Sequence, residues 1–268
     1  MNKTIERAKE IIGIHIDNIR ESKADAVKSI ILVGSLSNNS YTGNVGSDID
    51  LIHILRDTVA HHVREDIIAI IENTMTLTDC DIPISKNVYR YGDLYRPYPK
   101  DFELNLENKD LMELPIEILR IKDSGIIIYG ENIIEEIDNP TREDIIQAKE
   151  FGRLWNKKMA EDSPEWYEEY LKTIDNISTR LLAQSVLTRA MLDYYFETEK
   201  SCSNKKEIPI KMKEEVSNYR FQEILDLSYK WRYFPKLLTQ EEECFMHEEF
   251  KVWRTLRKGK EVDFVPLF

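Results

Sequence analysis

Two aspartates one residue apart, Asp48 and Asp50, stand at the start of a segment, "DIDLIHIL", that otherwise reads as a buried strand. In an extended segment, side chains two apart point to the same face. Both carboxylates therefore project together while Ile49 and Leu51 face the other way. Neighbouring carboxylates raise each other's pKa unless positive charge sits between them. A divalent ion is the usual remedy, and hard oxygen donors select Mg²⁺ or Mn²⁺. Upstream, Gly34-Ser35 ends the apolar run "SIILV". A glycine at that point lets backbone N–H groups approach an anion closely, and the serine hydroxyl adds a donor. Metal carboxylates facing a phosphate-binding turn point to metal-assisted phosphoryl or nucleotidyl transfer.

Such a constellation needs a sheet to hold it. Apolar residues at helical spacing from Ile5 to Ile19 predict a helix over Thr4 to Ser22. Strands are expected at Ser29 to Val33 and at Asp48 to Leu55, followed by a helix from Val59 to Met75. "RYGDLYRPYPK" reads as an irregular connection, and "DFELNLE", Asp101 to Glu107, alternates as a strand. "LPIEILRIKDSG" reads as a short helix stopped by Gly125, and "IIIYG" as one more strand. Beyond Pro140 the pattern is helical, with Thr141 as an N-cap and a long apolar face in "NISTRLLAQSVLTRAMLDYYF". The expected architecture is an α+β (α/β) domain with a mixed central sheet over residues 1–138. An all-α helical bundle domain over residues 139–268 follows it.

Composition narrows the partners. The 268 residues are 42% hydrophobic and 32% charged, ordinary for a folded soluble chain, with a net charge of −12. That acidity argues against binding a duplex or a long RNA, where neutralising phosphates dominates affinity. It suits a cationic acceptor, or a nucleotide handled through metal ions. No apolar run approaches the roughly 18 residues that span a bilayer. Cys80, Cys202 and Cys244 form neither a CxxC pair nor an even framework, which fits a reducing cytoplasm. His61-His62 diverge by about 100° on a helix and read as surface residues. "SPEWYEEYL" reads first as a helix with a packed Trp166 and a solvated acidic face, and second as an acidic, aromatic lining for a cationic ring. Nothing in the pattern fixes an oligomeric state.

The run "GSLSNNSYTGNVGSDIDL" resembles the signature of the nucleotidyltransferases related to DNA polymerase β: Gly-Ser, a spacer, then Asp-x-Asp. Ser47, directly before the first aspartate, matches the "SDxDL" form of many members. The resemblance covers about the first half of the chain and implies a two-metal enzyme. Asp48, Asp50 and a third carboxylate would hold Mg²⁺ on an NTP, with ATP the first candidate donor. Gly34, Ser35 and Ser47 would surround the phosphates. In that family the third carboxylate comes from a later strand. Glu103 fits the pattern in "DFELNL", with Asp101 two residues earlier on the same face. Asp79 and Asp81 form a competing pair that fits a loop better. The helical half resembles, more weakly, that of bacterial aminoglycoside nucleotidyltransferases. The resemblance offers Lys205, Lys206, Lys211 and Lys213 as a phosphate-binding group. The activity implied is transfer of a nucleotidyl group to a hydroxyl of a small cationic molecule, as in antibiotic resistance. Nucleotidylation of a protein or RNA end, or nucleotide binding without chemistry, stands as the alternative.

Overall fold

The computed structural model describes residues 4–43, 47–99 and 109–257. The chain divides into two compact units: Met1–Lys100 with Leu114–Pro140, and Asp101–Glu113 with Thr141–Phe268. The first unit opens with helix α1 (Ile5–Lys23), whose N-cap Thr4 accepts a hydrogen bond from the Arg7 amide at 3.2 Å. Then come β1 (Val27–Leu32), a single helical turn α2 (Gly34–Ser37), β2 (Leu51–Leu55), α3 (Val63–Leu77) and β3 (Asn87–Arg90). A 3-10 turn at Tyr91–Leu94, the part of helix α4 (Lys109–Ser124) from Leu114 onward, and β4 (Ile126–Gly130) complete the α+β arrangement.

Among the described residues the strands form one mixed sheet in the order β3-β2-β1-β4. β1 runs antiparallel to both β2 and β4, while β2 and β3 are parallel. Every residue of β2 is buried, so both of its faces must be covered. Leu51 and Leu55 join Ile30 and Val88 of the sheet in one core with Ala8, Ile11 and Ile19 of α1 and Ile67 and Ile71 of α3. The topology puts the ends of the strands to two uses. The end of β1 and the approach to β2 meet at one edge, near Gly34 and Asp50. The start of β1 and the ends of β2 and β4 meet at the other, where Glu131 bridges Lys28 at 2.6 Å and Arg56 at 2.8 Å.

Three sequence readings are corrected here. β2 begins at Leu51 rather than Asp48; before it, Ile49 makes only an isolated parallel bridge to Ile84. β3 was hidden at the edge of the expected irregular connection, because a four-residue strand carries too little alternation to read. Helix α4 is longer than expected and runs through Pro115 before Gly125 stops it. The segment expected as a strand at 101–107 lies outside the described residues.

In the second unit the described residues form helices α5 (Arg142–Asp162), α6 (Pro164–Asp175), α7 (Thr179–Thr198), α8 (Ile208–Glu215), α9 (Gln222–Tyr233) and α10 (Gln240–Arg257). Thr141 and Asp144 make a reciprocal capping box at the start of α5. α7 is buried on most of its circumference and packs Leu182, Leu187 and Tyr194 against Met212, Leu225, Met246, Phe250 and Trp253. Trp166 is not the packed tryptophan. It is 43% exposed, meets the buried Trp155 edge-on and stacks on Tyr170.

One polar contact inside the first unit's core makes stability pH-dependent. His15 Nε2 and His53 Nε2 lie 2.7 Å apart, both rings fully buried. The contact requires one N–H and one bare nitrogen, so at least one ring is neutral. Burial lowers the His15 pKa to about 4, and burial plus repulsion from His15 lowers that of His53 to about 3. Above pH 7 both rings are neutral whether the chain is folded or not, and they contribute no pH dependence. Below 6.5 the unfolded chain takes up protons that the folded one refuses. Each histidine then costs up to about 1.4 kcal/mol per pH unit, until the folded values are reached. Urea unfolding at pH 7 and pH 5 is expected to differ by on the order of 3 kcal/mol from this pair. His53→Gln should remove about half of that difference; an equal loss in variant and native protein would refute the assignment.

Candidate active site

The turn after β1 is built around a glycine in the left-handed region, Gly34 at φ +73°. Its backbone brings Asp50 close: a methyl group built on Gly34 would come within 2.1 Å of Asp50 Oδ2. Val33 N–H donates to the Asp50 carbonyl at 3.0 Å, which registers the turn against the approach to β2. The Gly-Ser and Asp-x-Asp segments are thus adjacent through Gly34 and Asp50. Asp48 is exposed, Ile49 is buried and Asp50 is half-buried, the alternation of an extended segment.

Asp50 has a cationic neighbour. Arg120 Nη2 lies 3.1 Å from Asp50 Oδ1, and Arg120 Nη1 donates to both oxygens of Glu117 at 2.8 Å. The three side chains are 19%, 22% and 11% exposed for Asp50, Arg120 and Glu117. Burial works against the guanidinium charge, but Glu117 and then Asp50 more than offset it, and the Arg120 pKa lies above its ordinary value. On α4, Glu117, Arg120 and Ser124 are spaced three and four apart and share one face. Ser124 lies 3.4 Å from the Ser37 hydroxyl of α2, which also donates to the Gly34 carbonyl at 2.9 Å. α4 therefore lies along the glycine turn.

Around this centre, Ser35 sits in α2 beside Gly34, and its carbonyl accepts from the Ser40 amide at 2.9 Å. Ser47 is buried, its hydroxyl 3.5 Å from that of Thr42. Burial, and then the charge of Asp48, raise the Tyr41 pKa, which places that phenol near the exposed aspartate.

Among solved structures the chain is similar to spectinomycin adenyltransferase AAD(9) from Enterococcus faecialis, crystallised with ATP and spectinomycin. The likeness covers 91% of this chain and 99% of that one, with a TM-score of 0.56 and 14% identity. The fold is that of an adenyltransferase. No family model matches the chain, and no curated protein matches it. At this identity the backbone carries the likeness, while side-chain roles must be argued from this chain alone.

The remaining expected residues fall in different places. Glu103 and Asp101 lie outside the described residues. The four lysines belong to the second unit. Lys211 pairs with Glu207 at 3.3 Å on α8, and Lys206 lies over the Tyr233 ring at 5.5 Å. Lys213 is exposed in the last turn of α8, and Lys205 precedes that helix. Asp79 and Asp81 occupy a loop with Asp79 and Cys80 at positive φ, and Asp81 is paired to Arg7 at 3.0 Å. His61 and His62 are exposed. Arg120 and Glu117 escaped sequence reasoning, because an i, i+3 Glu–Arg pair on a helix looks like any solvated ion pair. Its only sequence signal is that the pair lies on the helix leading into "SGIIIYG".

Proposed function

We propose that this chain is a metal-dependent nucleotidyltransferase. It would move a nucleotidyl group, adenylyl first, from an NTP to a hydroxyl of a small cationic acceptor such as an aminoglycoside-like antibiotic. The observation that carries this reading is the contact between the left-handed Gly34 turn and Asp50, within an adenyltransferase fold. In the reaction the acceptor oxygen bonds to the α-phosphorus, the bond to the bridging oxygen breaks, and pyrophosphate and the hydroxyl proton leave. Gly34 and Ser35 would hold the outer phosphates, with Ser47 supporting the loop beside Asp48. Glu103 is proposed as the third carboxylate and the acceptor of the hydroxyl proton. The second unit is proposed as a separate helical domain, divided from the first near residue 138, with Lys205, Lys206, Lys211 and Lys213 as phosphate-binding candidates.

The donor set suits Mg²⁺. Asp48 and Asp50 offer hard oxygens, and the lack of a side chain on Gly34 lets the Asp50 carboxylate lie against the turn. Among the described residues no group of three or more His, Cys, Asp or Glu side chains is placed to hold an ion. One or two carboxylates completed by substrate phosphates is the usual mode for this ion. When bound, the ion would polarise the phosphoryl oxygens and neutralise charge on the leaving group. No helix of the described residues is long and apolar enough to cross a membrane.

The test is a thermal-shift series with ATP, GTP, CTP and UTP, each with and without Mg²⁺, on native protein and on Asp48→Asn/Asp50→Asn. One nucleotide at about a hundred times its Kd should stabilise the native chain by about 2.7 kcal/mol, and only with the metal. A screen of aminoglycosides and related antibiotics with that nucleotide then identifies the acceptor by pyrophosphate release. Stabilisation that persists in the double variant would reject the site, and an empty acceptor screen would reject the small-molecule reading.

A further inference from the structure

Asp50 is the carboxylate that packs against the glycine turn, yet the chain has already supplied it with a cation. We propose that Arg120 is a resident counter-ion for Asp50, which discriminates against a bare divalent ion and in favour of the metal–nucleotide complex. This rests on the reading of Asp50 as a metal carboxylate given above.

The geometry assigns the two oxygens of Asp50 different surroundings. Oδ1 faces Arg120 Nη2 at 3.1 Å, and Oδ2 faces Gly34. The guanidinium is held from behind by Glu117, whose two oxygens share Nη1 at 2.8 Å. Swinging Arg120 away would leave a largely buried Glu117 without its partner, so the cation is a fixed part of the site. A fixed positive charge within a few ångströms of a carboxylate opposes a dication there. Even with near-aqueous screening, that repulsion weakens binding by about tenfold. A nucleoside triphosphate carries more negative charge than one dication neutralises, so the complex arrives as a net anion and the same Arg120 attracts it. An ordinary structural ion pair would not separate the two ligands in this way.

The experiment compares the full-length native chain with Arg120→Gln, Arg120→Lys and Glu117→Gln/Arg120→Gln. Mn²⁺ alone is titrated by electron paramagnetic resonance, Mg·ATP by calorimetry, and folding is checked by circular dichroism. In Arg120→Gln, Mn²⁺ alone is expected to bind about tenfold tighter while Mg·ATP binds more weakly. Arg120→Lys keeps the charge and should stay near native for Mn²⁺. The double variant removes the Glu117 charge that Arg120→Gln alone would leave without its partner, and it should fold while keeping a smaller tightening for Mn²⁺. Unchanged or weaker Mn²⁺ binding in both glutamine variants would overturn the proposal. Asp50→Asn serves as the reference. If it loses Mn²⁺ while the Arg120 variants match the native chain, only the counter-ion role fails. If it binds Mn²⁺ normally, the reading of Asp50 as a metal carboxylate fails, and the counter-ion role with it.

Discussion

Asp50→Asn is expected to lower the rate of nucleotidyl transfer by about 10³-fold, roughly 4 kcal/mol of transition-state stabilisation, with little loss of folded protein. The asymmetry follows from where the charge is used. The backbone bond from Val33 to the Asp50 carbonyl survives the substitution, and Arg120 keeps both oxygens of Glu117. No buried cation is left alone, and the lost ion pair is partly solvated, so its own contribution to stability is modest. On the proposed reading of Asp50 as a metal carboxylate, the uncharged amide cannot replace a hard anionic donor, and the loss falls on chemistry. Asp48→Asn should act in the same direction on the rate. Since Asp48 is exposed, its unfolding free energy should change by no more than about 0.5 kcal/mol. Pyrophosphate release in single turnover, with denaturant melts alongside, measures both. A rate within tenfold of native for Asp50→Asn would remove this carboxylate from the chemistry.

What the sequence made legible was local. Gly34-Ser35 and Asp48-x-Asp50 could be read because each is a short-range pattern whose residue types have few other uses in an apolar stretch. Thr141 and Gly125 punctuated their helices because caps and stops act within one turn. The parts that could not be read are non-local. Arg120 meets Asp50 across 70 positions of sequence, through a contact that only the fold creates. His53 sits in an all-buried strand with nothing beside it in sequence to announce His15 as its partner. β3 is held in place by its parallel neighbour β2 rather than by its own pattern. Trp166 was assigned to the packed side of α6 by its apolar character, yet the structure gives the buried place to Trp155 one helix earlier. Periodicity locates a face, but not which of two tryptophans fills it.

Two left-handed glycines make a matched pair that separates the demands of the fold from those of the site. Gly34 and Gly130 have φ of +73° and +82°, and a side chain at either would suffer the same conformational penalty of about 1–2 kcal/mol. They differ in what a methyl group would strike. At Gly130 it would lie 2.2 Å from the Lys28 carbonyl oxygen, an atom fixed by the bond it accepts from the Glu131 amide. Relief there requires the pairing of β1 with β4 to open. At Gly34 it would lie 2.1 Å from the end of the Asp50 side chain, which can rotate away. Gly130→Ala is therefore expected to lower the melting temperature by more than Gly34→Ala does, while its folded fraction keeps native turnover. Gly34→Ala should lose only several degrees, yet turnover should fall by about 10²-fold or more as the carboxylate leaves its place, since small displacements at a reacting centre cost that much. Nucleotide stabilisation by metal should disappear in Gly34→Ala and persist in Gly130→Ala. Equal turnover in the two folded variants would mean that Gly34 serves only the turn. In that case its contact with Asp50 would be a consequence of packing, and the phosphate-binding role of the Gly34-Ser35 turn would lose its main support.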